Sequence, residues 1–322
     1  MSESAPLIGT EAAPVPPGAT AEWFSGAGGA RLRAALFSPP AAPLGSVVIS
    51  PGRTEPIEKF FETALDLTSR GFAVLVHDWR GQGLSHRDLP DRLLGHARGW
   101  RPYMVDFDAL LNAFAARLPQ PWIALGHSMG GCLTLLALAE GERRFAGAIL
   151  SSPMLGLVTA PVPRPLTRVI ARAHCALGQA AAPVWRPKGA ETAFADNILT
   201  HDAARYARNE GQVAACPDLA VDRPTWGWLD FAFQATDRLA TGPGVPGIAI
   251  PVSILAAGEE KIVDNAATRT TAARIPNVTL QDVPGAYHEL LQETDDIRAA
   301  FWSAFEDLAE KAGIVIRPAR RP

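Results

Sequence analysis

The pentapeptide Gly126-His127-Ser128-Met129-Gly130 constrains this chain more than any other feature, because of what flanks it. The preceding run PWIAL (121–125) reads as a short apolar strand, and the following GCLTLL (131–136) reads as the start of a helix. A G-x-S-x-G step between strand and helix is a tight turn in which the serine takes a strained backbone conformation. Both glycines are needed there because a Cβ would clash. The turn puts the Ser128 hydroxyl at a helix N-terminus, where the dipole and free N–H groups favour developing negative charge.

The same alternation runs through most of the chain. Strands are expected at Ser46–Ser50, Phe72–His77, Trp122–Leu125, Ala148–Leu150 and Pro251–Ala256, with a weaker one at Val278–Gln281. Helical spacing falls at Ile57–Arg70, Met104–Leu118 and Cys132–Glu140. Strands separated by helices predict an α/β fold with a mainly parallel central sheet flanked by helices. Three stretches, Leu118–Ala139, Ala146–Pro163 and Leu239–Gly258, contain no Asp, Glu, Lys or Arg. They are long enough to cross a bilayer, but each is cut by Gly and Pro; they read as buried parallel strands with their exit turns.

Between Pro153 and about Val245 the rhythm stops. This segment lacks β-branched runs and clusters Pro161, Pro163 and Pro165. Its helical periodicity lies at Leu166–Leu177, Asn197–Asn209 and Thr225–Leu239, and its aromatics run from Trp185 to Phe233. It reads as a helical cap or lid, 153–244, inserted into a core made of 21–152 and 245–313. Residues 1–20 read as a flexible tail, and 314–322, with Arg317, Arg320 and Arg321, as a solvated basic one. The aromatics of the cap suit either helix packing or the wall of an acyl pocket.

Composition narrows the partners. A formal net charge of −3 does not steer a chain to nucleic acid, and three basic residues at the C-terminus allow at most transient contact with a membrane surface. Cys132, Cys175 and Cys216 show no C-x-x-C spacing, which argues against a disulfide framework or a zinc site. No metal or cofactor is expected. The N-terminus has no basic segment followed by an apolar one, so a cytoplasmic location is expected. Asp78–Gly83 lacks the Gly-Lys-Ser/Thr of a phosphate loop and reads as structural. Nothing in the sequence speaks to oligomeric state.

A serine nucleophile needs a base. Of the histidines after Ser128, His174 and His201 fall in the insertion, whereas His288 lies in a loop between the last strand and the last helix. The third member, an acid, is sought past the strand 251–256, where Glu259, Glu260 and Asp264 stand. Asp264 precedes the helix-like AATRTTAAR and suits a cap, which favours Glu260 with Asp264 as the alternative. An oxyanion hole takes one backbone N–H from Met129 and a second from Arg53 or Thr54; Pro51 has none to give.

GHSMGG (126–131), HDWRGQGLS (77–85), PGRTE (51–55), EKIVD (260–264) and GAYHE (285–289) together resemble the lysophospholipase and monoacylglycerol lipase branch of the α/β-hydrolase fold, over about residues 21–312. The insertion matches only loosely. The resemblance implies Ser128 as nucleophile, His288 as base, Glu260 as acid and the amides of Arg53 and Met129 as oxyanion donors. It implies a lipid-like or small ester substrate, a lysophospholipid or monoacylglycerol, cleaved through an acyl-enzyme without a cofactor. The chain departs from the pattern at Pro51-Gly52, where monoacylglycerol lipases have His-Gly, and at Glu260, where Asp is commoner. The same groups would serve an esterase, thioesterase, peptidase or acyltransferase. A non-catalytic binding module would not need all of them. Dehalogenase and epoxide hydrolase chemistry is disfavoured, because those enzymes carry Asp where Ser128 stands.

Overall fold

The computed structural model describes residues 3–184 and 194–316. One sheet is built from β1 (Glu3–Ser4), β2 (Thr20–Ser25), β3 (Arg31–Phe37), β4 (Gly45–Ser50), β5 (Phe72–His77), β6 (Trp122–His127), β7 (Phe145–Ser151), β8 (Val252–Ala257) and β9 (Val278–Val283). Their order is β1-β2-β3-β5-β4-β6-β7-β8-β9. The strands β4 to β9 pair in parallel, and β1 to β3 run antiparallel at one edge. The helices are α1 (Phe61–Ser69), α2 (Arg101–Phe114), α3 (Met129–Ala139), α4 (Arg164–Ala176), α5 (Ala203–Ala215), α6 (Trp226–Thr241), α7 (Asn265–Ala272) and α8 (Asp295–Lys311). This is the α/β-hydrolase architecture.

Side chains alternate across the sheet and build two cores. Val47 and Ile49 of β4 pack with Leu67 of α1 and Phe305 of α8, while Val48 between them packs with Leu110 of α2 and Leu133 of α3. Every residue of β4, β5, β6 and β8 is buried, which is why those segments carry so little charge. In α3, Met129 to Leu138 are all buried, and each of its leucines contributes about 1.5–3 kcal/mol by leaving water.

Three expectations are corrected, and two strands are added. Residues 3–20 are not a loose tail: β1 pairs with β2, Ala13 is buried, the Pro6 carbonyl accepts from Arg33 Nη1 at 3.0 Å, and the Ile8 amide donates to Glu58 at 3.1 Å. The polar groups of a buried Arg33–Glu58 pair anchor that segment. The strands β2 and β3 escaped the sequence pattern because Arg33, fully buried, looks like a solvent residue until Glu58 and Asp78 are seen to meet it at 2.7 and 2.8 Å. The helix expected over Asn197–Asn209 begins only at Ala203, where the Asp202 side chain accepts from the Arg205 amide at 2.9 Å and caps it.

The third correction concerns the expected cap, 153–244, which divides in two. Helix α6 belongs to the main body, since Phe231, Ala232, Ala235 and Leu239 share one apolar core with α3 and the sheet. Helix α4 leans on α6 through Ala171, Leu229 and Phe233, and α5 is held to α1 by ion pairs from Arg205 and Arg208 to Glu62. Trp185, and Arg317, Arg320 and Arg321 of the expected basic tail, lie outside the described residues.

Candidate active site

From β4 the chain moves to β5 on one side and then to β6 on the other, so it reverses direction across the sheet at β4. Open α/β sheets form their binding crevice outside the C-terminal ends of strands at such a switch point. The loops after β4, β6, β8 and β9 meet there.

The turn after β6 is as tight as the pentapeptide requires. Ser128 has φ 50° and ψ −116°, a left-handed conformation that costs about 1–3 kcal/mol for a residue with a Cβ. A Cβ on Gly126 would lie 2.7 Å from Gly131 Cα, and one on Gly130 only 1.9 Å from the Ser50 carbonyl oxygen. The backbone locks the turn: Ser128 N donates to Ser151 O at 3.0 Å, and Ser128 O accepts from Cys132 and Met154 at 3.0 and 2.9 Å.

Ser128 Oγ lies 2.9 Å from His288 Nε2, and His288 Nδ1 lies 2.7 Å from Glu260 Oε2. A carboxylate only accepts, so Nδ1 carries the proton and Nε2 offers its lone pair to the serine hydroxyl. Glu260 Oε1 accepts from the amides of Lys261, Ile262 and Val263 at 3.0, 2.8 and 3.2 Å. Burial pushes the Glu260 carboxyl up, but the His288 hydrogen bond and charge and the amides of Ile262 and Val263 outweigh it, leaving its pKa below the ordinary carboxylate value. Asp264 is elsewhere. Its Oδ1 accepts from Ala266 and Ala267 at 2.8 and 3.3 Å and caps α7. Glu259 is exposed.

Of the two amides weighed for the oxyanion hole, Thr54 N is engaged by Gln82 Oε1 at 2.7 Å. Gly52 N donates to Glu55 Oε2 at 2.6 Å. The Arg53 amide between them makes no such bond among the described residues. Met129 N opens α3 and has no intrahelical acceptor.

A buried ionic cluster beneath these groups was not read from the sequence. Lys59 Nζ sits 2.9 Å from Glu55 Oε1 and 2.5 Å from Glu289 Oε1, bridging the loop after β4 to the loop that carries His288. Burial lowers the ammonium pKa, and the two carboxylates more than reverse that, so Lys59 stays charged. His127 Nε2 is 3.7 Å from Glu55, its Nδ1 is 3.1 Å from the Ser151 carbonyl, and burial holds its pKa down to about 3, so it is neutral. Glu55, His127 and Glu289 converge within 4.8 Å, a spacing a cation would accept, but the Lys59 ammonium already meets both carboxylates. The available sequence signal was the i, i+4 spacing of Glu55 and Lys59 and the adjacency of Glu289 to His288.

Ser128 opens onto a cavity of about 400 Å³ with an apolar wall of Met154, Leu157, Val158, Leu229, Ile262 and Val263. A hydroxyl facing an imidazole, a carboxylate behind it and two free amides beside an apolar cavity are the apparatus of acyl transfer. Fold and site together are those of a serine hydrolase.

Residues 41–295 match the family described as serine aminopeptidase, S33. The chain is 35% identical to lysophospholipase L2 of Escherichia coli over 274 residues, 81% of this chain and 79% of that one. It is 26% identical to the monoacylglycerol lipase of Mycolicibacterium smegmatis over 279 residues, 84% of this chain and 91% of that one. A soluble variant of the monoglyceride lipase of Saccharomyces cerevisiae, solved with a substrate analogue, superposes with a TM-score of 0.71 at 19% identity, covering 89% and 94% of the two chains. The chain belongs to the serine aminopeptidase S33 family of α/β-hydrolases, within its lysophospholipase-like members, and is an ester-hydrolysing serine hydrolase.

Proposed function

We propose that the protein hydrolyses the carboxylic ester of a single-chain lipid, a lysophospholipid or monoacylglycerol, with Ser128 as nucleophile, His288 as general base and acid, and Glu260 as the orienting carboxylate. His288 takes the hydroxyl proton as Ser128 attacks the carbonyl, and the amides of Arg53 and Met129 hold the oxyanion. His288 then protonates the departing alcohol, and water enters by the same relay to release the fatty acid. The observation that carries this reading is the continuous chain Ser128 Oγ, His288, Glu260, at 2.9 and 2.7 Å, opening on an apolar cavity. The names of the relatives support the lipid class.

The insertion before α6 is part of the proposal as a cap over the site: Leu157, Val158 and Leu199 line the cavity, and the Leu199 carbonyl accepts from the Glu289 amide at 2.9 Å. An aminopeptidase would use a carboxylate to hold the substrate's terminal amine, and here Glu55 and Glu289 are paired with Lys59. The cytoplasmic setting also belongs to the proposal. No helix among the described residues is long and apolar enough to cross a membrane, and the three cysteines are free.

Labelling with a fluorophosphonate and turnover of p-nitrophenyl butyrate test the reading. The wild type should do both, and Ser128→Ala should lose labelling and on the order of 10⁶-fold in kcat with an unchanged circular dichroism spectrum. Retained turnover in that variant overturns it.

A further inference from the structure

The side chain of Arg53 has no role in the chemistry above, which uses only its amide. Arg53 and Trp228 both line the cavity, and the guanidinium lies 5.3 Å from the centre of the Trp228 ring. Its one hydrogen bond among the described residues runs from Nη2 to the Asp222 carbonyl, and Nε is buried with no partner. The nearby Asp222 carboxylate is taken by Arg223 Nε at 3.2 Å, and no carboxylate of the described residues comes within ion-pair distance of Arg53. Two buried guanidiniums do meet carboxylates: Arg33 meets Glu58 and Asp78, and Arg80 meets Asp106. Burial lowers the Arg53 pKa to about 10, which leaves it charged at neutral pH.

A largely desolvated cation with a spare N–H donor and no carboxylate in ion-pair contact is complementary to an anion. Its planar fork suits two oxygens on one phosphorus. Position decides which part of the substrate that anion belongs to. The amide of this residue faces the scissile carbonyl, and the apolar wall on Met154, Leu157 and Leu229 suits the acyl chain. The alcohol portion of the ester is what remains for the guanidinium. Monoacylglycerol brings only hydroxyls there, whereas a lysophospholipid brings a phosphodiester a few bonds from the ester oxygen.

We propose that the Arg53 side chain, beside Trp228, is the subsite for the phosphodiester of the leaving alcohol, and that it makes the enzyme select lysophospholipids over neutral monoacylglycerols. The proposal rests on the ester-hydrolase reading of Ser128. The guanidinium stabilises the enzyme–substrate complex more than it changes the acyl-transfer step, so its effect falls on KM.

The test compares 1-octanoyl lysophosphatidylglycerol with 1-octanoylglycerol, both below their critical micelle concentrations so that surface binding does not enter. The quantity read is the ratio of the two kcat/KM values within each protein, which cancels any shared disturbance of the Arg53 amide. In the wild type the ratio should favour the phospholipid. In Arg53→Met it should fall by about 10- to 100-fold, the range for a hydrogen bond to a charged group, mostly through KM, and Arg53→Lys should recover most of it. A ratio that moves less than twofold in Arg53→Met, or a wild type with no preference, overturns the subsite.

Should Arg53→Met not fold, glycerophosphoglycerol should inhibit the wild type's turnover of p-nitrophenyl butyrate at least tenfold more strongly than glycerol, and less so at high salt. Equal inhibition by the two overturns the subsite. If the wild type fails on p-nitrophenyl butyrate and on both lipids, the ester-hydrolase reading itself falls. If it hydrolyses all three without preference, only the subsite does.

Discussion

The two sides of the cavity are built differently. On one, Ser128, His288 and Glu260 stand on loops whose backbones are pinned: three amides hold one oxygen of Glu260, and Lys59 ties the loop after β4 to the loop of His288. On the other, Leu157, Val158, Leu199, Trp228 and Leu229 contribute apolar surface from the stretch between β7 and β8, and most of those contacts are non-directional. Directional bonds fix geometry to within a few tenths of an ångström, as acyl transfer requires. Apolar packing tolerates changes of volume, as a family that varies its substrates requires. In the proposed reading, the chemistry and the fit of the acyl chain are thus carried by different kinds of interaction within one pocket.

The largest expected effect sharpens the pinned side. Glu260→Gln should lower kcat for p-nitrophenyl butyrate by about 10³- to 10⁴-fold, because an amide at that place no longer selects the reactive imidazole tautomer or stabilises its charged form. Asp264→Ala should leave kcat within a few-fold and reduce stability by about 1 kcal/mol through loss of the α7 cap, measured by urea unfolding. The reverse pattern would move the acid to Asp264 and break the comparison.

An intermediate effect is expected on the apolar side. Leu229→Trp fills part of the cavity, so kcat/KM for a long-chain ester should fall by about 10- to 100-fold while that for p-nitrophenyl acetate changes little. A uniform loss across chain lengths would mean that the wall, too, positions the chemistry.

The smallest effect concerns how the stretch carrying that wall is fastened. Glu62 of α1 accepts from Arg205 of α5 at 2.7 and 2.9 Å, pairs with Arg208, and receives Arg298 of α8 at 3.2 Å. Burial raises its pKa, but these hydrogen bonds and charges outweigh it and hold it at about 2, against an ordinary 4.5. Between those two values the unfolded chain binds more protons than the folded one. The stabilisation is therefore complete above pH 4.5 and disappears as pH falls toward 2. Glu62→Gln should cost about 1 kcal/mol at pH 7, since the group is partly solvated, and should flatten the acid limb of a urea-midpoint profile. An unaltered acid limb would place the fastening elsewhere.

Much of this is legible in the amino-acid sequence. Ser128 stands out because a strained strand-to-helix turn demands glycines at fixed offsets, and Phe72–His77 has the bounds the sequence predicts because a strand buried on both faces carries an unbroken apolar run. Glu260 is separable from Asp264 because helix capping is a local rule, and the Asp264 side chain does accept from the first amides of α7. Residues 3–20 and strands β2 and β3 are misread or passed over for the opposite reason. Arg33 and Glu58 are polar residues at buried positions, and only their partners, 25 to 45 residues away in the chain, make that burial tolerable. The same holds for α6, whose amphipathic pattern marks a helix but not which body it packs against.

What the sequence determined alone was therefore written in short-range code: the turn at Ser128, the parallel strands and the cap on α7. The tertiary structure decided which amides are engaged: Gln82, distant in sequence, accepts from the Thr54 amide, while the Arg53 amide has no such partner among the described residues. It also revealed the Lys59 bridge and an Arg53 guanidinium with no carboxylate in ion-pair contact among the described residues. Those outcomes depend on where buried charge is compensated, and compensation of charge is a property of neighbours in space that no local pattern records.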